Sequence, residues 1–275
     1  MNIQGKPNKK ILLLLIVLVI SAAIFIWLKV SSVELDNPES IAYDKTGDRF
    51  LISNTGGRSI VSMDSTGALS TFLKGGMQAP RGIMIVSPFL YVADNKQVHV
   101  IDIPTQKISQ SIPIEGAAML NDIEIDKNGL LYLTDTKAHY LFILDPATKK
   151  VEKFTAPQLN SPNGIVYDRP RNQMFIVCNS MHSSILSFDT INRTFSIFKD
   201  TIYSNLDGIA IDDLGRIYFS SWQENAIYMI PQEQNRFILF KRDMPAAADM
   251  IYHLPTNELI VPLFNKNRIV RIPLD

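Results

Sequence analysis

Beyond residue 30 the chain is written in short runs in which apolar and polar residues alternate, each run bounded by Gly, Asn, Asp or Pro. A period of two puts every second side chain on one face, so each run reads as a half-buried β-strand. The stretch 208–240 shows the unit clearly. Gly208-Ile209-Ala210-Ile211 is a strand, Asp212-Asp213-Leu214-Gly215 a turn, and 216–220, 226–230 and 236–240 are three further strands. Asp126-Lys127-Asn128-Gly129 takes the place of that turn in an earlier copy, and its glycine supplies the positive φ that a tight hairpin needs.

The unit recurs. Its openings read Pro38-Glu39-Ser40-Ile41, Pro80-Arg81-Gly82-Ile83, Leu120-Asn121-Asp122-Ile123, Pro162-Asn163-Gly164-Ile165, Leu206-Asp207-Gly208-Ile209 and Ala248-Asp249-Met250-Ile251. Their second residues are 42, 40, 42, 44 and 42 positions apart. A repeat of roughly 40–45 residues with four strands is the spacing of a propeller blade. The expectation is an all-β, six-bladed β-propeller over 30–275. A helical apolar period, which a six-repeat α/β solenoid would require, is not evident after residue 30. The last unit stops at Asp275 with three strands, and 30–35 is the expected closing strand.

Ahead of the repeats the pattern changes. Lys6, Lys9 and Lys10 precede an uncharged apolar run, 11–28, closed by Lys29. As a helix this run would reach about 27 Å, close to the hydrocarbon thickness of a bilayer. We expect a cytoplasmic basic segment (1–10), a transmembrane helix (11–29), and a propeller on the extracytoplasmic side. The competing reading is a signal peptide cleaved near Ser21 and Ala23.

Charge alters the picture by exclusion. Lys+Arg and Asp+Glu both number 27, so no basic footprint for nucleic acid exists. The lone Cys178 sits in an apolar run and reads as core. No Gly-x-Ser-x-Gly elbow or P-loop occurs. His139 and His182, with Trp222, fall in loops between second and third strands; they are rim candidates or simply exposed polar loop residues.

Innermost strands line a propeller's channel, so their openings converge at one mouth. Glu39, Arg81, Asn121, Asn163, Asp207 and Asp249 would meet there, with Asp122 adjacent. Oxygen donors without histidine or cysteine suit a hard divalent cation. The alternative is that Asn and Asp merely stabilise turns before strands, although glutamate is not a preferred turn residue.

These openings resemble the gluconolactonase family that includes senescence marker protein, or regucalcin. The resemblance rests on Asn37-Pro38-Glu39-Ser40, Asn121-Asp122, Ser161-Pro162-Asn163-Gly164 and Leu206-Asp207-Gly208, and covers 34–275. It implies that Glu39, Asn163 and Asp207 bind one divalent metal ion, calcium first, with magnesium, manganese or zinc as alternatives. It implies that Asn121 contacts substrate beside Asp122, and that a small-molecule lactone or ester is hydrolysed. Asp207 is then the first choice of base and Asp122 the second. Where sugar-lactone relatives place an arginine, this chain has Met119, which points toward a more apolar substrate. Arg81 could contact an anion or pair with Asp249 or Glu39. Tyr91-Val92-Ala93-Asp94-Asn95 and Tyr132-Leu133-Thr134-Asp135-Thr136 also resemble NHL-type propellers, and strictosidine-synthase-like propellers share an N-terminal apolar segment. The functional alternative is therefore a non-catalytic extracytoplasmic scaffold.

Overall fold

A computed structural model of the protein describes residues 13, 14, 16–19, 33–233 and 236–275. Leu35–Asp275 forms one compact unit built from six antiparallel sheets. The first contains β1 (Pro38–Asp44), β2 (Arg49–Asn54), β3 (Ser59–Met63) and β4 (Leu69–Lys74). The second contains β5 (Pro80–Val86), β6 (Phe89–Asp94), β7 (Gln97–Asp102) and β8 (Lys107–Pro113). The third comprises β9 (Leu120–Ile125), β10 (Leu131–Asp135), β11 (Tyr140–Leu144) and β12 (Val151–Phe154). In the fourth are β13 (Pro162–Asp168), β14 (Gln173–Cys178), β15 (Ile185–Asp189) and β16 (Thr194–Lys199). The fifth holds β17 (Leu206–Ile211), β18 (Ile217–Ser221), β19 (Ala226–Ile230) and β20 (Ile238–Lys241). The sixth holds β21 (Ile251–His253), β22 (Glu258–Leu263) and β23 (Arg268–Pro273).

Each sheet meanders in chain order, and the first strands of successive sheets neighbour one another around a closed ring. This is the expected six-bladed propeller. The tight turns follow from Asx chemistry. The Asp212 carboxylate accepts from the amides of Leu214 and Arg216 at 3.1 and 2.8 Å, and Gly215 takes φ +75°. Asp126 repeats this with Asn128 and Leu130, and Gly129 between them takes φ +83°.

The core lies in layers between neighbouring blades. Phe142 and Leu133 of the third blade pack with Ala93 and Val98 of the second, and Phe188 and Met174 of the fourth with Tyr132 and Leu141 of the third. Cys178 is buried within one such layer, as expected, and burial pushes its thiol up to about 12, so it is inert at neutral pH.

Two expectations concern the ends of the chain. Among the described residues the sixth sheet has three strands; residues 33–35 are not in a strand, and 30–32 lie outside the described residues. Among the described residues the first and last blades meet where Asp249 N donates to Glu39 O at 3.1 Å and Asn37 N donates to Asn267 Oδ1 at 2.9 Å. The expected transmembrane segment, 11–29, lies outside the described residues except for 13, 14 and 16–19, which are helical and exposed. Among the described residues no helix is long and apolar enough to cross a membrane.

Where innermost strands meet, backbone leaves no room for a side chain. A Cβ at Gly208 would lie 2.1 Å from Ala248 O, and one at Gly164 would lie 2.3 Å from Asp207 O. Gly208→Ala should therefore lower stability by about 1–3 kcal/mol through overpacking, read as a fall in the urea midpoint. Gly129→Ala, at an open turn with nothing nearby, should cost only the roughly 1 kcal/mol of an unfavourable φ.

Candidate functional site at the channel mouth

The opening of each innermost strand is bulged. In the first blade Pro38 pairs with Asn54 and Ile41 with Ile52, so three steps on one strand match two on the other. The same shift separates Pro80 from Ile83, Leu120 from Ile123, Pro162 from Ile165 and Leu206 from Ile209. A bulge sets two residues against one and re-aims both side chains. The first of the pair belongs to the mouth; the second abuts the next blade.

The sixth blade carries the bulge too, one residue earlier than its sequence suggests. Ala247 bridges to Leu263 and Ile251 pairs with Ile260, which makes Ala248 the counterpart of Glu39 and Asp249 the counterpart of Ser40. Steric neighbours agree. Gly208 faces Ala248 O and Asp249 Cα just as Gly164 faces Asp207 O and Gly208 Cα. The mouth ring is thus Glu39, Arg81, Asn121, Asn163, Asp207 and Ala248. Asp249 leaves it.

Within that ring the side chains make contact. Arg81 Nη1 stands 3.6 Å from Glu39 Oε1, which settles its ion-pair partner as Glu39. Asn163 Nδ2 donates to Asp207 Oδ2 at 3.1 Å. Asp207 Oδ1 is fully buried with no hydrogen-bond partner among the described residues, and so is Arg81 Nε. Glu39, Asn121, Asn163 and Asp207 are all buried. Burial pushes the Asp207 carboxyl well above the usual carboxylate range, and the Glu39 charge adds to this; the bond from Asn163 and the charge of Arg81 oppose it. Glu39 is raised by burial and drawn back by Arg81.

Asp122 sits elsewhere than its place beside Asn121 suggests. Its Oδ1 accepts from Ile123 N at 2.7 Å and its Oδ2 from Ile165 N at 2.8 Å, so both oxygens are engaged with backbone at the seam to the fourth blade. Ser40 does similar work, accepting from Ile83 N at 3.3 Å and donating to Asp249 Oδ2 at 2.6 Å. Asp122, Asp249 and Glu124 line a cavity of about 320 Å³ in the channel beyond the ring, walled largely by isoleucines. Burial raises all three carboxyls: Asp122 further through the charge of Asp249, and Glu124 to about 7.

Met119 brings no polar atom to the site; its amide is held by both Asp135 oxygens at 3.0 Å. Asp94 grips the amides of Gln78 and Ala79 at 2.8 and 2.7 Å in the same way. The aspartates of the two NHL-like stretches therefore hold the loops that lead to Asn121 and Arg81. Of the rim candidates, His139 Nδ1 accepts from Ser161 N at 2.7 Å and His182 Nδ1 lies 3.1 Å from Ile202 O, so each braces a loop. Trp222 Nε1 donates to Ala247 O at 2.9 Å, fixing the strand opening that the sequence misplaces. Among the described residues no group of three or more His, Cys, Asp or Glu side chains is placed to hold a metal ion.

Burial pushes the Glu124 carboxyl up to about 7 in the folded chain, above its ordinary range when unfolded, so the folded chain binds its proton more tightly. Its stabilising contribution is complete in acid and is lost as pH rises through about 7. Glu124→Gln should flatten the decline in stability across that window, measured as urea midpoint against pH.

Similarity to known proteins agrees with this architecture. Among curated proteins, none matches the sequence significantly. A gluconolactonase from Xanthomonas campestris superposes with a TM-score of 0.74 at 13% identity, covering 88% of this chain and 87% of that one. An auxiliary nutrient binding protein from Bacteroides thetaiotaomicron gives 0.73 at 13% identity, covering 87% and 69%. A streptogramin B lyase gives 0.67 at 13% identity, covering 89% and 95%. At these identities the likeness is one of fold, on which hydrolysis, lyase chemistry and binding all occur. The sequence model of the SMP-30/gluconolactonase/LRE-like region matches residues 37–249, from just before Glu39 through Asp207 to Asp249, and the chain belongs to that family.

Proposed function

We propose that this protein is a hydrolase of a lactone or related ester, with Asp207 as its base. The observation that carries this reading is the buried, unengaged Oδ1 of Asp207 in a ring that also holds Glu39, Asn163 and Arg81. A carboxyl raised by burial accepts a proton more readily than an exposed one. Asp207 Oδ1 takes the proton of the attacking water. Asn163, bonded to the other oxygen, keeps the carboxylate oriented. Asp122 has both oxygens occupied by amides and serves here to hold the seam. Asn121 and the apolar Met119 flank the acyl group.

The ring also fits a divalent cation. Its donors are all oxygens, one of them is buried without a partner, and the buried charges of Glu39 and Asp207 repel. Glu39, Asn163 and Asp207 would hold the ion, calcium the best match and magnesium, manganese or zinc the others, and it would act as a Lewis acid toward the carbonyl.

The test is a panel of lactones and aryl esters offered to the purified full-length chain. Turnover of a member should fall by about 10²–10⁴ in Asp207→Asn. Calcium should raise the melting temperature by mass action and a chelator reverse it, with Glu39→Gln blunting the shift. The deep burial of Glu39, Asn163 and Asp207 favours a second reading, a binding scaffold, which predicts no turnover across the panel.

We further propose that 11–29 anchors the chain, with the propeller on the extracytoplasmic side. The full-length protein should stay with membranes through an alkaline wash, and a chain lacking 1–29 should not.

A further inference from the structure

Arg81 is the one cation of the mouth ring, and its hydrogen-bonding capacity is largely unspent. The 3.6 Å from Nη1 to Glu39 Oε1 is an ion-pair distance, too long for a hydrogen bond. Nε is fully buried without a hydrogen-bond partner among the described residues, although a guanidinium carries five N–H donors. Leaving such donors dry is costly unless something else meets them. The Arg81 side chain is 20% exposed against 5% for Glu39, so it is the more accessible partner of the pair.

The ring thus presents an unspent donor fork and, on Asp207 Oδ1, an unspent acceptor. A planar pair of oxygens suits the fork, and a hydroxyl suits the acceptor. One class of small molecule carries both groups: a hydroxycarboxylate, the product of opening a lactone. We propose that Arg81 is the acyl-end subsite, its guanidinium holding the two oxygens that become the product carboxylate while Asp207 Oδ1 meets the freed hydroxyl. This rests on the hydrolytic reading of the same site. In the reaction the water oxygen bonds to the carbonyl carbon and the ring C–O bond breaks. One water proton passes through Asp207 to the leaving oxygen. The other stays on the new carboxylic acid, which ionises to solvent and leaves the anion on Arg81. The site then recognises its product more strongly than its neutral substrate, and product inhibition is built in.

Isothermal titration of the full-length chain with 3-(2-hydroxyphenyl)propanoate and with its neutral amide tests this, alongside hydrolysis of dihydrocoumarin, the corresponding lactone. Wild type should bind the carboxylate and discriminate against the amide. Arg81→Met should weaken carboxylate binding by roughly ten-fold or more, the loss of a charged hydrogen-bonding partner, and leave the amide unchanged. Arg81→Lys, which keeps charge without the fork, should fall between. Circular dichroism melting checks that each variant folds; if Arg81→Met does not, Arg81→Lys and the wild-type contrast decide. Binding of neither probe by wild type, equal binding of both, or equal losses in Arg81→Met would overturn the subsite. Dihydrocoumarin hydrolysis and product inhibition unaffected by Arg81→Met would overturn it too, with hydrolysis left standing. Arg81-dependent carboxylate binding without turnover of any ester supports the subsite and removes the hydrolytic reading alone.

Discussion

Adjacent innermost strands approach so closely at the channel that their backbones almost touch, and the remaining features of the site follow from that approach. Gly164 and Gly208 are there because the next strand's carbonyl occupies the space of a Cβ. Where the second bulge residue is not glycine, it is bonded to a neighbouring blade: Ser40 to Ile83 and Asp249, Asp122 to Ile165. The bulge assigns opposite duties to consecutive residues. One faces the mouth; the next is committed to the seam.

That geometry concentrates charge where water is scarce. Glu39 and Asp207 in the ring, with Asp122, Asp249 and Glu124 beyond it, are raised by burial and, for most, by one another's charges. Arg81 is the one positive charge among the ring residues, and it acts on both Glu39 and Asp207. Such a set is tolerable when protons, a cation or a bound polar molecule relieve it, which is the condition of a site organised for a ligand. Membership of the SMP-30/gluconolactonase/LRE-like family is consistent with this arrangement; similar propellers that include a lyase and a nutrient binding protein show that the fold alone does not set the chemistry.

The amino-acid sequence by itself determined the six units, their strand order and the turns at Asp126 and Asp212, because alternation and Asx–Gly chemistry are local and recur at one spacing. It also named five of the six ring positions, since a Pro or Leu, a polar or charged residue and then Ser, Gly or Asp open each of those five strands at the repeat spacing. The sixth position was beyond it. Asp249 stands 42 residues after Asp207 and, like it, two residues before an isoleucine, and only the pairing of Ala247 with Leu263 shows that the bulge falls one residue earlier. The roles of Asp122 and Arg81 were likewise decided in three dimensions. Asp122 is spent on an amide 43 residues away, and Arg81 meets Glu39 across the gap between two blades. A period of two specifies which face a side chain takes along its own strand. Which partner it finds across the seam depends on how neighbouring backbones dock, and that is a property of the closed ring.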